Sequence, residues 1–469
     1  MGTVIKKCIN LIICFIISAA LMTGLLVLSA MIPREKIEDR MLESAEFLYK
    51  SEIFGKVIKD VIGSTIDRYA DAILLNIAYH YDPDDLLRSV MSSSYYFSQI
   101  QEECENLLEA VKDDKEANQQ YLRYWHGSNL IVRPLHMFLS IRQIYVLNAV
   151  LLVLLFGFLE FLLIRKRQIV PAVGLPIALI LTSSFFVPLS LEYTWIFIVM
   201  FTSSIIVVLS ACKESNAKKD STGKYAYIFL ITGMVTSFLD FLTAETLTLT
   251  IPLLILLYMM RVKDGFSVSA SPQIDGNSSR TDSSKSIADK VKNLPVLYKT
   301  SIEAALCWGA GYVCMWVLKW VLGGIVLSEN VMPYVSEHVS ERLGDTLGLS
   351  KVTLLLGAVT RNIGCMFPIG YGVIGAVAGL ILVIFVAYVM YVYHRNNTDR
   401  QWILLCIFIG LIPYVRYLVL RNHSFLHCFF TCRAQAATVL AVLFIVSEVT
   451  GVNDIRLKKG FLIREKGKH

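Results

Sequence analysis

The sequence predicts an all-α, polytopic helical membrane protein with about ten transmembrane helices. Three observations predict it. Of the 469 residues, 55% are hydrophobic, and mean hydropathy is +0.57. Several apolar runs approach or exceed the roughly 20 residues that carry a helix across a bilayer. Tyr and Trp recur near the ends of those runs, where an interfacial belt places them. A net charge of +6 is first a matter of topology. No P-loop or dinucleotide motif stands in the chain, and nucleic acid is not an implied partner. The ten cysteines are scattered, mostly inside apolar runs, without zinc-finger or redox spacing. They read as small hydrophobes.

The opening segment "MGTVIKKCINLIICFIISAALMTGLLVLSAMIP" has an apolar part too long for a signal peptide and no clean cleavage site. It predicts a first spanning helix with a cytoplasmic N-terminus. Spans are expected near 8–32, 143–164, 169–188, 193–212, 225–239, 246–260, 301–322, 369–393, 401–420 and 426–448. That count depends on the short fifth and sixth. Alternation then puts Lys6, Lys7, Arg165, Lys166, Arg167, Lys213, Lys218, Lys219, Lys224, Arg395, Arg400 and the basic tail on one side. The opposite loops "PLSLEY" and "LDFLTAE" hold no Lys or Arg. The positive-inside rule therefore predicts a multi-pass cell-membrane protein with both termini cytoplasmic.

A long first outer loop, 33–142, escapes that rule. Within it, "EIFGKVIKDVIGSTIDRYADAILLNIAYHY" repeats apolar residues at Ile62, Ile66, Tyr69, Ile73 and Ile77, which predicts a helix lying on the membrane surface. "SQIQEECENLLEAVKDDKEANQQYLRYW" begins as a more charged helix. The Ser- and Asp-rich stretch 264–290 predicts a flexible cytoplasmic linker within 261–300. It separates an N-terminal membrane module, 1–260, from a C-terminal one, 301–469. No internal repeat is visible, which argues against a transporter of inverted halves.

Unusual polar residues gather where the outward loops meet the spans. They are Asp67 and Asp71; Arg123, His126 and Arg133 in "RYWHGSNLIVRPL"; Glu192 in "LEYTW"; Asp240 and Glu245 in "LDFLTAET"; and Arg421, His423, His427 and Arg433 in "RNHSFLHCFFTCR". Ionisable residues at such depth are candidates for function. Each also has a structural reading, as a solvated helix face, a helix cap, a belt residue or a satisfied interfacial histidine. Five separated segments placing them on one side weigh against that reading. Carboxylates supply a general base or metal ligands, and arginine pairs bidentately with phosphate. The mixed-sign set suits a lipid phosphate and an acceptor hydroxyl, with a carboxylate taking the hydroxyl proton. Arg421 and His423 are the expected phosphate partners, and Arg433 the internal partner of Asp240 or Glu245. "YDPDDL" (Asp82, Asp84, Asp85) admits a divalent cation or a helix cap.

On these features the chain resembles GT-C-type membrane glycosyltransferases. "IDRYADAILLNIAY", "RYWHGSNLIVRPL", "SFLDFLT" and "NHSFLHCFFTCR" resemble motifs in membrane proteins of Gram-positive bacteria. The resemblance implies a polyprenyl-phosphate-linked sugar as donor. The acceptor would be an extracytoplasmic glycan, teichoic acid or lipid. The acidic base falls on Asp67 or Asp71, although Glu35, Glu38 and Asp39 stand nearer the first span. The alternatives are a polysaccharide polymerase or ligase using a lipid-diphosphate glycan, and a lipid-linked-sugar flippase.

Overall fold

The computed structural model describes residues 2–213, 223–266, 282–344, 348–367, 373–394 and 398–451. Among them the fold is helical throughout, with no named strand. It begins with α1 (Gly2–Ala30). Helices α2 (Glu38–Tyr49), α3 (Arg68–Tyr79), α4 (Leu86–Ser92), α5 (Glu103–Lys112) and α6 (Asn129–Leu135) fill the 33–142 loop. There follow α7 (Ile141–Arg165), α8 (Ile169–Leu181), α9 (Leu191–Lys213), α10 (Gly223–Leu239) and α11 (Leu247–Phe266). The remainder comprises α12 (Asp282–Leu327), α13 (Met332–Leu343), α14 (Lys351–Met366), α15 (Val373–Val392), α16 (Arg400–Val419), α17 (Arg421–Leu426), α18 (Cys428–Thr431) and α19 (Ala436–Thr450).

Six helical stretches among the described residues are long and apolar enough to cross a membrane: Ile5–Ala30, Ile141–Arg165, Leu191–Cys212, Val296–Leu327, Arg400–Val419 and Cys428–Thr450. Ile169–Leu181, Gly223–Leu239, Leu247–Val262 and Val377–Val392 are apolar but shorter. This is a multi-pass helical membrane protein. Its first helix bears exposed Ile12, Ile16 and Ile17, side chains that a bilayer solvates and water does not.

Helices here pack through close backbone approach rather than hydrophobic exclusion. The crossing of α10 and α12 depends on it. A Cβ at Gly233 would stand 2.1 Å from the Trp308 carbonyl oxygen, and one at Gly311 2.3 Å from that of Leu230. Trp308 Nε1 donates to Thr248 Oγ1 at 2.9 Å, and Thr248 shares a 2.8 Å hydrogen bond with Thr236. These three polar groups are thus satisfied across helices.

Three expectations change. The stretch 52–81 does not form one helix lying on a surface. It is irregular as far as Asp67, and α3 is buried from Asp71 to Tyr79. Ala72, Leu74, Leu75, Ile77 and Ala78 leave α3 almost no polar side, and a helix apolar all round is buried. Helix extends into both ends of the expected linker 261–300. α11 runs on to Phe266 and α12 starts at Asp282, while 267–281 lie outside the described residues. The stretch between the spans expected near 301–322 and 369–393 holds two further helices, α13 and α14.

Candidate functional site

Five segments meet at one end of the bundle, where α9 begins and α10 and α16 end. Asp71, in the first turn of α3, points into the N-terminus of α9. Its carboxylate accepts from Tyr145 Oη (2.5 Å), Ser190 Oγ (3.1 Å), Leu191 N (2.9 Å) and Glu192 N (3.3 Å). Free amides and the helix dipole make such an end a natural seat for a carboxylate. Burial pushes Asp71 up to about 7 against those donors. With four donors fixed on it, Asp71 is a positioning residue that sets α3 against α9.

Asp67 is the N-cap of α3, and its Oδ1 accepts from Ala70 N at 3.0 Å. The Glu192 carboxyl lies close by. Burial pushes Asp67 up to about 6. Glu192 Oε2 is buried with no partner among the described residues. Of the two aspartates, Asp67 has fewer hydrogen-bond donors fixed on it.

"LDFLTAET" forms a tight turn. Asp240 accepts from Leu242 N (2.9 Å), Thr243 N (3.1 Å) and Thr243 Oγ1 (2.8 Å). Burial, then Glu245, pushes Asp240 up to about 7. Leu242 takes the left-handed conformation, φ 66°, and turns its carbonyl to Arg416 Nη2 at 2.5 Å. Arg416 also pairs with Glu245 at 2.9 Å and reaches Ser424 Oγ at 3.0 Å. Here an expectation is corrected: the internal partner of Glu245 is Arg416, not Arg433. Arg433 lies 4.3 Å over the Tyr193 ring and donates to the Gly63 carbonyl. A lone arginine inside a span was the signal for Arg416.

The histidines enter as neutral groups. Burial and then Arg416 hold His423 well below the ordinary imidazole value. His427 stacks on Phe430, ring centroids 5.2 Å apart. Burial likewise holds His126 well below its ordinary value. Its ring lies against Tyr121 (4.8 Å), Phe241 (5.1 Å) and Tyr124 (6.2 Å). Neither ring nitrogen of His126 has a partner among the described residues. The turn is forced by Gly127: a Cβ there would stand 2.3 Å from Phe238.

Beside His126 lies a groove of about 110 Å³ lined by Tyr124, Trp316, Trp320 and Tyr334 and by Arg123 and Arg342. The rings of Trp308, Tyr312, Trp316 and Trp320 follow one another along α12 at 5.0, 5.7 and 5.7 Å. Arg342 Nη2 donates to Tyr124 Oη at 3.1 Å, and Arg123 pairs with Glu341 at 3.5 Å. Apart from Arg123, this aromatic wall and the arginine on α13 carried no sequence signal that set them apart from belt residues.

Other expected residues lie elsewhere. Arg133 is fully buried but spends its amino groups on the carbonyls of Ala78, Ile32 and Tyr81, and its charged neighbour is Arg34. That is a structural task, closing the C-terminal end of α3. Arg421 starts α17, half-buried, with Nε partnerless among the described residues. Glu35 and Glu38 line a separate open cleft of about 530 Å³. In "YDPDDL", Asp82 Oδ1 accepts from Asp84 N at 2.8 Å, forming a turn before α4. Among the described residues no group of three His, Cys, Asp or Glu is arranged to hold a metal ion.

Comparison with family models, with curated proteins and with solved structures gives no match.

Proposed function

We propose that this chain is a GT-C-type membrane glycosyltransferase that moves a sugar from a polyprenyl-phosphate donor to an acceptor outside the cytoplasm. The observation that carries this reading is the burial of Asp67, Asp71, Glu192, Asp240 and Glu245 together with Arg416, beside an aromatic groove edged by Arg123 and Arg342. The groove offers flat apolar rings to a prenyl chain and two guanidinium groups to its phosphate. Asp67 takes the acceptor's hydroxyl proton. The acceptor oxygen bonds to the sugar's anomeric carbon, whose bond to the phosphate oxygen breaks, and polyprenyl phosphate leaves with the electron pair. A positioned base supplies roughly 10²–10⁴ in rate.

Ten spans with both termini cytoplasmic belong to the same proposal. The six long and four shorter apolar helices and the one-sided Lys/Arg loops support it. On this topology a lone cysteine at position 100 reacts with a membrane-impermeant reagent and one at position 166 does not. Labelling at 166 in sealed cells would overturn the orientation.

Protein reconstituted in vesicles with polyprenyl-phosphate hexose and pentose donors should release polyprenyl phosphate in an Asp67-dependent reaction. If lipid-linked sugar instead crosses the bilayer unreacted, the chain is a flippase and not a transferase.

A further inference from the structure

Arg433 sits in the 3-10 turn Cys432–Gln435, fully buried. Its surroundings give it little. One amino group donates to the Gly63 carbonyl at 3.2 Å, and the Tyr193 ring faces the guanidinium. Nε and Nη1 are partnerless among the described residues. A charged donor left bare in a buried place is costly, and a cation–π contact offsets only part of that cost. Two further buried groups nearby are unfilled: the Tyr193 hydroxyl and Glu192 Oε2. Tyr193 feels the charges of Asp67, Arg433 and Glu192 alike, which places all four in one neighbourhood.

We propose that Arg433, Tyr193 and Glu192 frame a site for an oxyanion of the phosphate class, carried by the acceptor next to the hydroxyl that Asp67 deprotonates. This deepens the transferase reading and rests on it for the role of Asp67. Arginine Nε and Nη1 point in different directions, and the phenol supplies a third donor. A phosphate monoester has three terminal oxygens to meet donors from several sides, whereas a carboxylate has two in one plane. The turn Ile62–Ser64 covers Arg433, and its Gly63 carbonyl is the group a ligand displaces.

The test uses the full chain in lipid nanodiscs and reads binding without turnover. The probes are inorganic phosphate, glycerol 3-phosphate and a short-chain prenyl phosphate. The variants are Arg433→Gln, Arg433→Lys, Tyr193→Phe and Arg123→Gln. Glycerol 3-phosphate should bind the parent protein and lose roughly ten- to a hundred-fold in affinity in Arg433→Gln. Arg433→Lys should recover part of it, and Tyr193→Phe, which keeps the ring, should lose a few-fold. Inorganic phosphate should follow the same order more weakly, and prenyl phosphate should respond to Arg123→Gln instead. If Arg433→Gln does not fold, Tyr193→Phe decides. The proposal is overturned if neither free phosphate probe binds, or if both bind Arg433→Gln and Tyr193→Phe as they bind the parent. It is also overturned if prenyl phosphate is the only probe that needs Arg433, which would assign the site to the donor. Arg433-dependent binding without any sugar transfer would sink the transferase reading and leave the anion site standing.

Discussion

Two regions of this molecule bury positive charge, and they treat it differently. Around the 33–142 loop, Arg133 places both amino groups on main-chain carbonyls. Lys319 reaches Val90 O (2.9 Å), Met91 O (3.0 Å) and Ser93 Oγ (3.3 Å), closing the end of α4. At the carboxylate cluster, Arg433 uses one amino group on one carbonyl and leaves the other bare, while Nε is unpartnered in both arginines among the described residues. The carboxylates repeat the contrast: Asp71 is saturated by four donors, while Asp67 leans on a carboxyl with a free oxygen. The difference teaches which buried charges are scaffold and which are site. A charge whose donors or acceptors are filled by the chain holds elements together, and one left incomplete is built to be completed by something else.

The largest effect that sharpens the comparison is on rate. Asp67→Asn should lower sugar transfer by roughly 10²–10⁴ without destabilising the fold, because Asn caps a helix about as well as Asp. Asp71→Asn should do the reverse and deplete folded protein, since an amide nitrogen at the Oδ2 position would face the Tyr145 hydroxyl and the Leu191 N–H. Loss of transfer with full stability in both variants would erase the distinction.

Next comes Arg416. Breaking its pair as Arg416→Gln leaves Glu245 charged and buried, at a cost of about 3–5 kcal/mol in a detergent-unfolding titration. Arg416→Met combined with Glu245→Leu should regain most of it. Comparable in size is Arg133→Leu, which orphans carbonyls at about 1–3 kcal/mol each and should lower the unfolding midpoint without changing donor KM. A raised KM there would place Arg133 at the ligand.

The smallest effect is a pH dependence. Asp67 titrates near 6 in the folded chain and near 4 when unfolded. The folded state therefore holds its proton more tightly, and that stabilisation is present below about pH 4 and lost as pH rises through 6. Relative to Asp67→Asn, the parent protein should lose stability between those values. Its transfer rate should rise over the same interval as the base ionises. A rate that is flat from pH 5 to 7 would remove Asp67 from the chemistry.

Much of this was legible in the sequence because the signals are local. Apolar length marked the spans, and ionisable residues beside them marked Asp67, Glu192, Asp240 and Glu245. What was not legible depends on contacts between distant elements. No spacing pairs Arg416 with Glu245, 171 residues away, or lays Arg433 on Tyr193. The burial of α3 was written in its all-round apolar surface, but five residues at helical spacing suggested a surface helix instead. Trp316 and Trp320 look in sequence like any belt aromatics, and only the arrival of α13 makes them a wall.

The most direct test of the central claim is mass spectrometry of the lipids that stay with the purified protein. Asp67→Asn should retain a polyprenyl-phosphate sugar that it binds but does not turn over, and the parent protein should hold polyprenyl phosphate. Finding in both only bulk phospholipid, in the proportions of the surrounding membrane, would contradict the account.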